Sequence, residues 1–445
     1  MKLFSRQRPS KNPFRDNINT LLISTLLLGV PLVVVLLHCA YQTYYKKGAH
    51  WSHNHDILDP VSHLHEADSM LYVASYSGLV TTLNLSLAEY RNTPVKLETL
   101  ATTDGCAGSP SWLTLDWMNG FLYCTDEGIK DGKNGSLVSF ATNENGTLTP
   151  LAKLSTALGP VSAVTYGEWN YGLAVAHYGG SAFTTWDIRD PANITSVQVQ
   201  EYNLPKPGPD PSRQEASHPH AAVLDPTKRF ILVPDLGEDL IHVYGVDVEG
   251  LLLTKLDPLT VAPGSGPRHL AFVVKETKTF MYLVTELANT IVGYEVVYGG
   301  RFIRFKEIWS GGIHGKGKDI PPGAAAAEVA VSPDREYLLV SSRNENTLQV
   351  PNFDSGNTTN IISDSLVSFR IDGETGHLAI QQDIPCGGRF PRHFSINKAG
   401  TLVAVALQHD SRVVILERDV KTGMLGDFVA YAELGGEVTA VIFYE

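Results

Sequence analysis

The chain has 445 residues, 43% of them hydrophobic and 18% charged, with a formal net charge of −12, enough for one large core or two domains. The first 47 residues hold seven Lys or Arg and one Asp, which leaves 28 cations against 46 anions beyond them. So acidic a body excludes a broad nucleic-acid surface, which needs clustered cations, but leaves room for a local cationic pocket.

Residues 1–19 read as a cytoplasmic basic tail. Residues 20–41, TLLISTLLLGVPLVVVLLHCAY, carry no charge and, at about 1.5 Å per helical residue, can cross a hydrocarbon core of roughly 30 Å. Lys2, Arg6, Arg8, Lys11 and Arg15 precede this run, whereas Lys46 and Lys47 follow it. That bias predicts a single-pass type II signal anchor with the C-terminal body on the luminal or extracellular side; a secreted chain after signal cleavage is the alternative. Residues 42–68 read as a polar stalk. Asn84, Asn134, Asn145, Asn193 and Asn357 each open an Asn-x-Ser/Thr sequon on the same predicted side, where glycosylation occurs. Cys39 lies in the span. Of Cys106, Cys124 and Cys386 at most one internal pair can form, with Cys106 and Cys124 the nearest in sequence, and the spacings match no zinc site.

From residue 69 to 445 the chain reads as strands. Apolar and β-branched runs of five to eight residues are punctuated by Gly, Asn, Asp and Pro. HAAVLDPTKRFILVPDLGEDLIHVYGVD aligns with RHLAFVVKETKTFMYLVTELANTIVGYEV, with AEVAVSPDREYLLVSSRNENTL and with RHFSINKAGTLVAVALQHDSRVVILERD. Weaker copies start at WLTLDWMNGFLYCTDEG and VSAVTYGEWNYGLAVAHYGG. Four-stranded units recurring in this way indicate propeller blades. Six units are complete, and a seventh, at residues 71–86, lacks an inner strand. The C-terminal GGEVTAVIFYE supplies one. The expectation is an all-β, seven-bladed propeller over residues 69–445, closed by the C-terminal strand; a pair of β-sandwiches is the alternative.

The alignment places His220, Arg268, Ala327 and Arg392 at one position, the start of the innermost strand, so their side chains are expected to converge on one mouth of the central channel. Period-two alternation puts Arg268 on a face with Leu270 and Phe272, with His269 opposite, and puts His218 on the face of His220. The next strand returns beside that start, and its far end carries Asp235, Glu286, Arg343 and Gln408, which also align with one another.

The HPH, PRH, VPDLG and TELANT segments, within this blade pattern, resemble the seven-bladed lactonase family, which includes bacterial-type 6-phosphogluconolactonase and fungal 3-carboxy-cis,cis-muconate cyclase. The resemblance covers most of residues 70–445 and implies catalytic roles for His220, Arg268, Glu286 and Arg392. His218, Asp235, Arg343 and Gln408 are the accompanying substrate-binding candidates. Two arginines suit carboxylate clamping and the stabilisation of developing negative charge, and His220 or Glu286 suits general acid–base chemistry. The chain has no G-x-S-x-G elbow and no H-E-x-x-H motif, so no serine nucleophile, catalytic metal or cofactor is expected. The expected partner is a small anionic lactone or polycarboxylate, formed or opened at the mouth; a non-catalytic propeller binding an anion, glycan or protein is the alternative. Two features depart from the family pattern: the N-terminal anchor, and insertions around 310–326 and 350–364 that could reshape the mouth.

Overall fold

A computed structural model describes residues 69–445 apart from 88, 89, 91, 92, 131, 133, 248–250, 316, 319 and 355. The basic tail, the anchor and the stalk all lie outside the described residues. Among the described residues no helix is long and apolar enough to cross a membrane.

Among the described residues, seven sheets of four or five strands form the blades. Blade 1 combines the C-terminal strand Val438–Phe443 with Ser69–Ser75, Val80–Leu85 and Glu98–Thr103. The inner strands of blades 2 to 7 are Pro110–Asp116, Pro160–Tyr166, Val223–Leu224, Pro267–Lys275, Ala325–Val331 and Pro391–Ile396. The expected ring closure is therefore present: Leu71 pairs with Phe443 and Ala74 with Ala440. A second latch comes from Val95–Lys96, which adds in parallel to the outer strand of blade 7. Closure of this kind removes the unpaired edges of an open sheet.

Burial explains the strand sequences. Second strands such as Phe230–Asp235 and Leu402–Leu407 are buried throughout and read as apolar runs, broken in the first only by its terminal Asp235. The outer strand Thr195–Glu201 meets solvent and carries Ser, Gln and Glu. Neighbouring blades pack face to face: Phe280, Tyr282 and Val284 of blade 5 meet Leu338, Val340 and Phe369 of blade 6. Full burial of each such side chain contributes about 1.5–3 kcal/mol. Cys106 and Cys124 are bonded, with their Cα atoms 6.0 Å apart, and tie the entry of blade 2 to its second strand; Cys386 is free and buried.

Among the described residues, neither insertion contributes a side chain to the central cavity. Leu348–Pro351 and Asn360–Ser363 form a separate hairpin whose Val350 and Phe353 pack with Phe428 and Tyr431 of blade 7. In the other insertion, His314 bonds Glu345 at 2.6 Å and Asp383 at 2.9 Å, which fastens it to blade 6. These two carboxylates, against the cost of burial, lift the His314 imidazole to about 9.

Candidate functional site

A recurring irregularity builds the site. The inner strands of blades 1, 2, 3, 5, 6 and 7 each carry one extra residue near their start, so that Pro267 pairs with Thr285 but His269 with Val284, and Pro391 with Leu407 but His393 with Ala406. Such a bulge bends the strand and re-aims its side chains. Blade 4 makes the equivalent turn between the Pro219–Asp235 bridge and the Val223–Leu232 pair. The bulged residue and its successor can then face the same space. Arg268 and His269 do so, as do Arg392 and His393, and they share a cavity with His220, Glu328 and Trp112. The alternation expected from period two, with His269 turned away from Arg268, is thus corrected: the extra residue cancels the alternation at that point.

The space left between these side chains is small, about 10 Å³, roughly what one ordered water molecule needs. His220, Arg268 and Arg392 converge here as the alignment implied. Glu286 stands just beyond the start of the inner strand, its N–H donating to Gly266 O at 2.7 Å. Gly266 itself has φ +64°, and a Cβ there would meet Leu287 at 2.5 Å, so only glycine fits this approach.

Glu286 is held by three guanidinium groups. Arg343 lies 2.8 Å from its Oε2 and Arg268 3.0 Å from the same oxygen, while Arg213 lies 2.6 Å from Oε1. Burial favours the neutral acid, but Arg343 and then Arg268 hold the carboxyl well below its ordinary range. A proton-transfer group needs a value near the working pH, and Glu286 in this setting is instead a fixed anion that places arginines. Burial, with Arg343 adding to it, draws Arg268 down to about 9, so it remains a cation at neutral pH. Arg268 also donates to Ala327 O at 2.6 Å. Arg392 donates to the Tyr76 hydroxyl at 2.7 Å and to Glu127 at 2.9 Å, and Tyr76 in turn bonds Glu127.

The imidazoles are neutral. Burial first, and Arg268 next, push His220 well below its ordinary value, and its Nδ1 has no hydrogen-bond partner among the described residues. Burial likewise lowers His269, and takes His393 to about 4. His269 Nδ1 lies 2.8 Å from Glu328 Oε1. Burial raises the Glu328 carboxyl, but His269 beside it brings it down to about 2.

Of the remaining expected site residues, Arg343 reaches the site through Glu286 and lies over the Phe390 ring at 5.0 Å. Gln408 donates to Glu437 at 2.7 Å. His218 stacks on Tyr178, with ring centroids 4.2 Å apart, and bonds Tyr178 O and Glu215; it buttresses the wall behind His220 rather than lining the cavity. Asp235 is out of register by one. Its partner Pro219 matches Pro267, whose partner is Thr285, so Leu236 and not Asp235 is the equivalent of Glu286. Backbone bonds agree, since Leu236 N–H reaches His218 O as Glu286 N–H reaches Gly266 O. The Asp235 carboxylate accepts N–H groups of His218, Gly237 and Glu238, and bonds Ser217 and His242. It orders a turn, and with Oδ1 so occupied, its grouping with Glu238 and His242 is a poor cradle for a metal ion.

Sequence reasoning missed His269, Glu328 and His393, whose signal was the bulge itself. It missed Tyr76, Glu127 and Tyr178, the second-strand ends of the weaker repeats. Arg213 arrives on the connection between blades 3 and 4, which belongs to no repeat.

The family described as "Lactonase, 7-bladed beta-propeller" matches residues 70–443. A "Probable 6-phosphogluconolactonase" of Arthroderma benhamiae is 29% identical over 320 residues, 71% of this chain and 75% of that protein. The 6-phosphogluconolactonase of Bacillus subtilis is 25% identical over 319 residues, 72% of this chain and 82% of that protein. The periplasmic gluconolactonase of Pseudomonas aeruginosa superposes with a TM-score of 0.68 at 23% identity, covering 84% of this chain and 98% of that one, which speaks to the fold alone. With its ring, its mouth and a match over nearly all the described residues, this chain belongs to the seven-bladed β-propeller lactonase family.

Proposed function

We propose that the chain is a hydrolytic lactonase that opens the ring of a small anionic lactone at this mouth, with a 6-phosphogluconolactone-like sugar lactone as the first substrate to try. One observation carries the reading: Arg268 and Arg392 line a buried cavity together with the neutral imidazole of His220. Fixed cations in a water-poor site favour an anionic substrate and the oxyanion formed when a carbonyl is attacked. A neutral imidazole supplies the proton traffic that ring opening needs. Glu286 holds the first arginine in place, and Glu127 with Tyr76 hold the second.

Ring formation on a carboxymuconate draws on the same groups, with an arginine-bound carboxylate adding across a double bond. A panel containing 6-phosphogluconolactone, gluconolactone and 3-carboxy-cis,cis-muconate, followed by mass spectrometry, separates the two directions. Hydrolysis by the native protein and its loss in Arg268→Ala support the lactonase; conversion of muconate alone supports the cyclase. Tight binding with no product anywhere leaves only an anion-binding propeller.

We further propose that the propeller lies on the luminal or extracellular side, tethered by residues 20–41. The Cys106–Cys124 bond supports this, because disulfides persist in oxidising compartments. Asn134, Asn145, Asn193 and Asn357 are exposed, whereas Asn84 is half-buried within a strand, so glycans are expected on the first four. Glycosidase treatment and protease protection of microsomes test the topology.

A further inference from the structure

Among the described residues the cavity is lined by one carboxylate, Glu328, whose surroundings differ from those of Glu286. Glu328 sits at the bulge of blade 6 and its Oε1 accepts both His269 Nδ1–H at 2.8 Å and the Val329 N–H at 3.0 Å. The bond to Nδ1 fixes the tautomer, because an ionised carboxylate can only accept. The other ring nitrogen, Nε2, is buried without a hydrogen-bond partner among the described residues, on a ring that lines the arginine-bearing cavity. We propose that His269, held in this tautomer by Glu328, is the general base that takes the proton from the attacking water. The proposal rests on the lactonase reading above.

The neighbouring imidazoles fit this role less well. The Val441 N–H donates to His393 Nδ1 at 3.3 Å, so His393 carries its proton on Nε2 and has no lone pair left to accept another. His220 has no carboxylate to set its tautomer, and its ring meets that of His269 edge to face at 5.2 Å. That placement suits a partner in proton return. A carboxylate that orients an imidazole and stabilises the imidazolium is the device of hydrolytic triads, here with water in place of a serine.

The step balances without a redox change. Water oxygen bonds to the lactone carbonyl carbon while its proton passes to His269 Nε2, and the carbonyl pair becomes an oxyanion facing the arginine cations. Collapse restores the C=O bond and breaks the bond to the ring oxygen. The departing alkoxide takes the proton back from the imidazoles, which leaves a hydroxy acid and a neutral His269. Glu328 does not touch the substrate and is a positioning residue.

The groups facing His269 are Arg268 beside it, Glu328 and Arg343 from blade 6, His220 from blade 4 and His393 from blade 7. Burial and the arginines lower its proton affinity, whereas Glu328 raises it. Hydrolysis of the best lactone is measured across pH for the native protein, His269→Gln and Glu328→Gln. His269→Gln is expected to lose about 10²–10⁴-fold in kcat with KM within threefold. Glu328→Gln is expected to lose tenfold or more, and its acid limb shifts to lower pH, because the charge that favoured the imidazolium is gone. An unchanged kcat in His269→Gln, or an unmoved acid limb in Glu328→Gln, overturns the proposal. The histidine ¹⁵N spectrum of the native protein gives a readout that needs neither variant to fold nor any turnover. Protonated Nδ1 and bare Nε2 are expected for His269, and the opposite tautomer overturns the role. A native protein that hydrolyses no lactone sinks the lactonase reading instead, and the dyad's role with it.

Discussion

Blades 4 to 7 and blades 1 to 3 share one backbone plan at the channel mouth, yet present different chemistry to it. On the first arc, the bulge and the residue after it supply His220, Arg268, His269, Glu328, Arg392 and His393. On the second arc they supply Thr439, Ser111, Trp112 and Val161. The short hydroxyls are committed to neighbouring blades: Thr439 donates to Pro110 O and Ser111 to Pro160 O, each at 2.7 Å. Trp112 Nε1 donates to Ala163 O at 3.2 Å. A short side chain at this position is spent on a carbonyl of the next blade, whereas a longer one such as Arg268 or Trp112 reaches such a carbonyl and still lines the cavity. One recurring bulge therefore joins blades on both arcs and brings charged and imidazole groups to the cavity on one of them.

The largest expected effect falls on the charged arc. Arg268→Ala should lower kcat/KM by about 10²–10³-fold, the range seen when one oxyanion donor is removed. Its fold should persist, because Arg343 and Arg213 still neutralise Glu286. Turnover within a few-fold of native, measured beside an unchanged melting temperature, would remove Arg268 from the site.

Glu286→Gln sharpens the contrast through stability. Three cations would face a neutral amide, and breaking a buried ion pair costs about 3–5 kcal/mol. The pH dependence has a definite sign. The folded-state carboxyl is depressed, so the unfolded chain binds more protons as pH falls. The stabilisation is complete above the unfolded carboxylate value of about 4.3 and is lost as pH drops through the folded value. Denaturant titrations from pH 7 to 3 should show a steep loss in the native protein and a shallower one in Glu286→Gln. Equal slopes would mean that the arginine cluster does not depend on this anion.

The strand repeat, the closing strand and the convergence of His220, Arg268 and Arg392 were all legible in the sequence, because apolar period and turn residues specify blades and symmetry carries equivalent positions to one axis. The bulge was not legible. It adds one residue without changing the apolar pattern further along, so Arg268 and His269 look opposed when they are neighbours. The same one-residue ambiguity at a strand end made Asp235 resemble Glu286, although Asp235 is consumed by a turn. Arg213 was beyond reach for a different reason: its approach to Glu286 depends on the path of a long connection rather than on any period.

The neutral arc predicts effects on stability with activity preserved. Reducing the Cys106–Cys124 bond, which closes a loop of 18 residues, should lower stability by about 3 kcal/mol. Lactone hydrolysis at 25 °C should stay near native, since neither cysteine lines the cavity. Loss of turnover at a temperature where the reduced protein is still folded would show that blade 2 shapes the active site directly.

The smallest effect tests the comparison most closely. Ser111→Ala and Thr439→Val each remove one hydrogen bond between blades and leave a carbonyl to find another donor, a loss of about 1 kcal/mol each. Thr439→Val keeps the volume of the side chain, so packing against the closing strand is retained and the hydroxyl alone is tested. Both hydroxyls lie at the cavity wall, yet each is already directed at a carbonyl of the adjoining blade. Such a group has little left to offer a substrate, so kcat and KM should both remain within about threefold of native, a difference of under 1 kcal/mol. A tenfold fall in kcat for either variant would mean that the hydroxyl turns from its carbonyl toward the substrate, and the division into a structural and a chemical arc would fail at that blade.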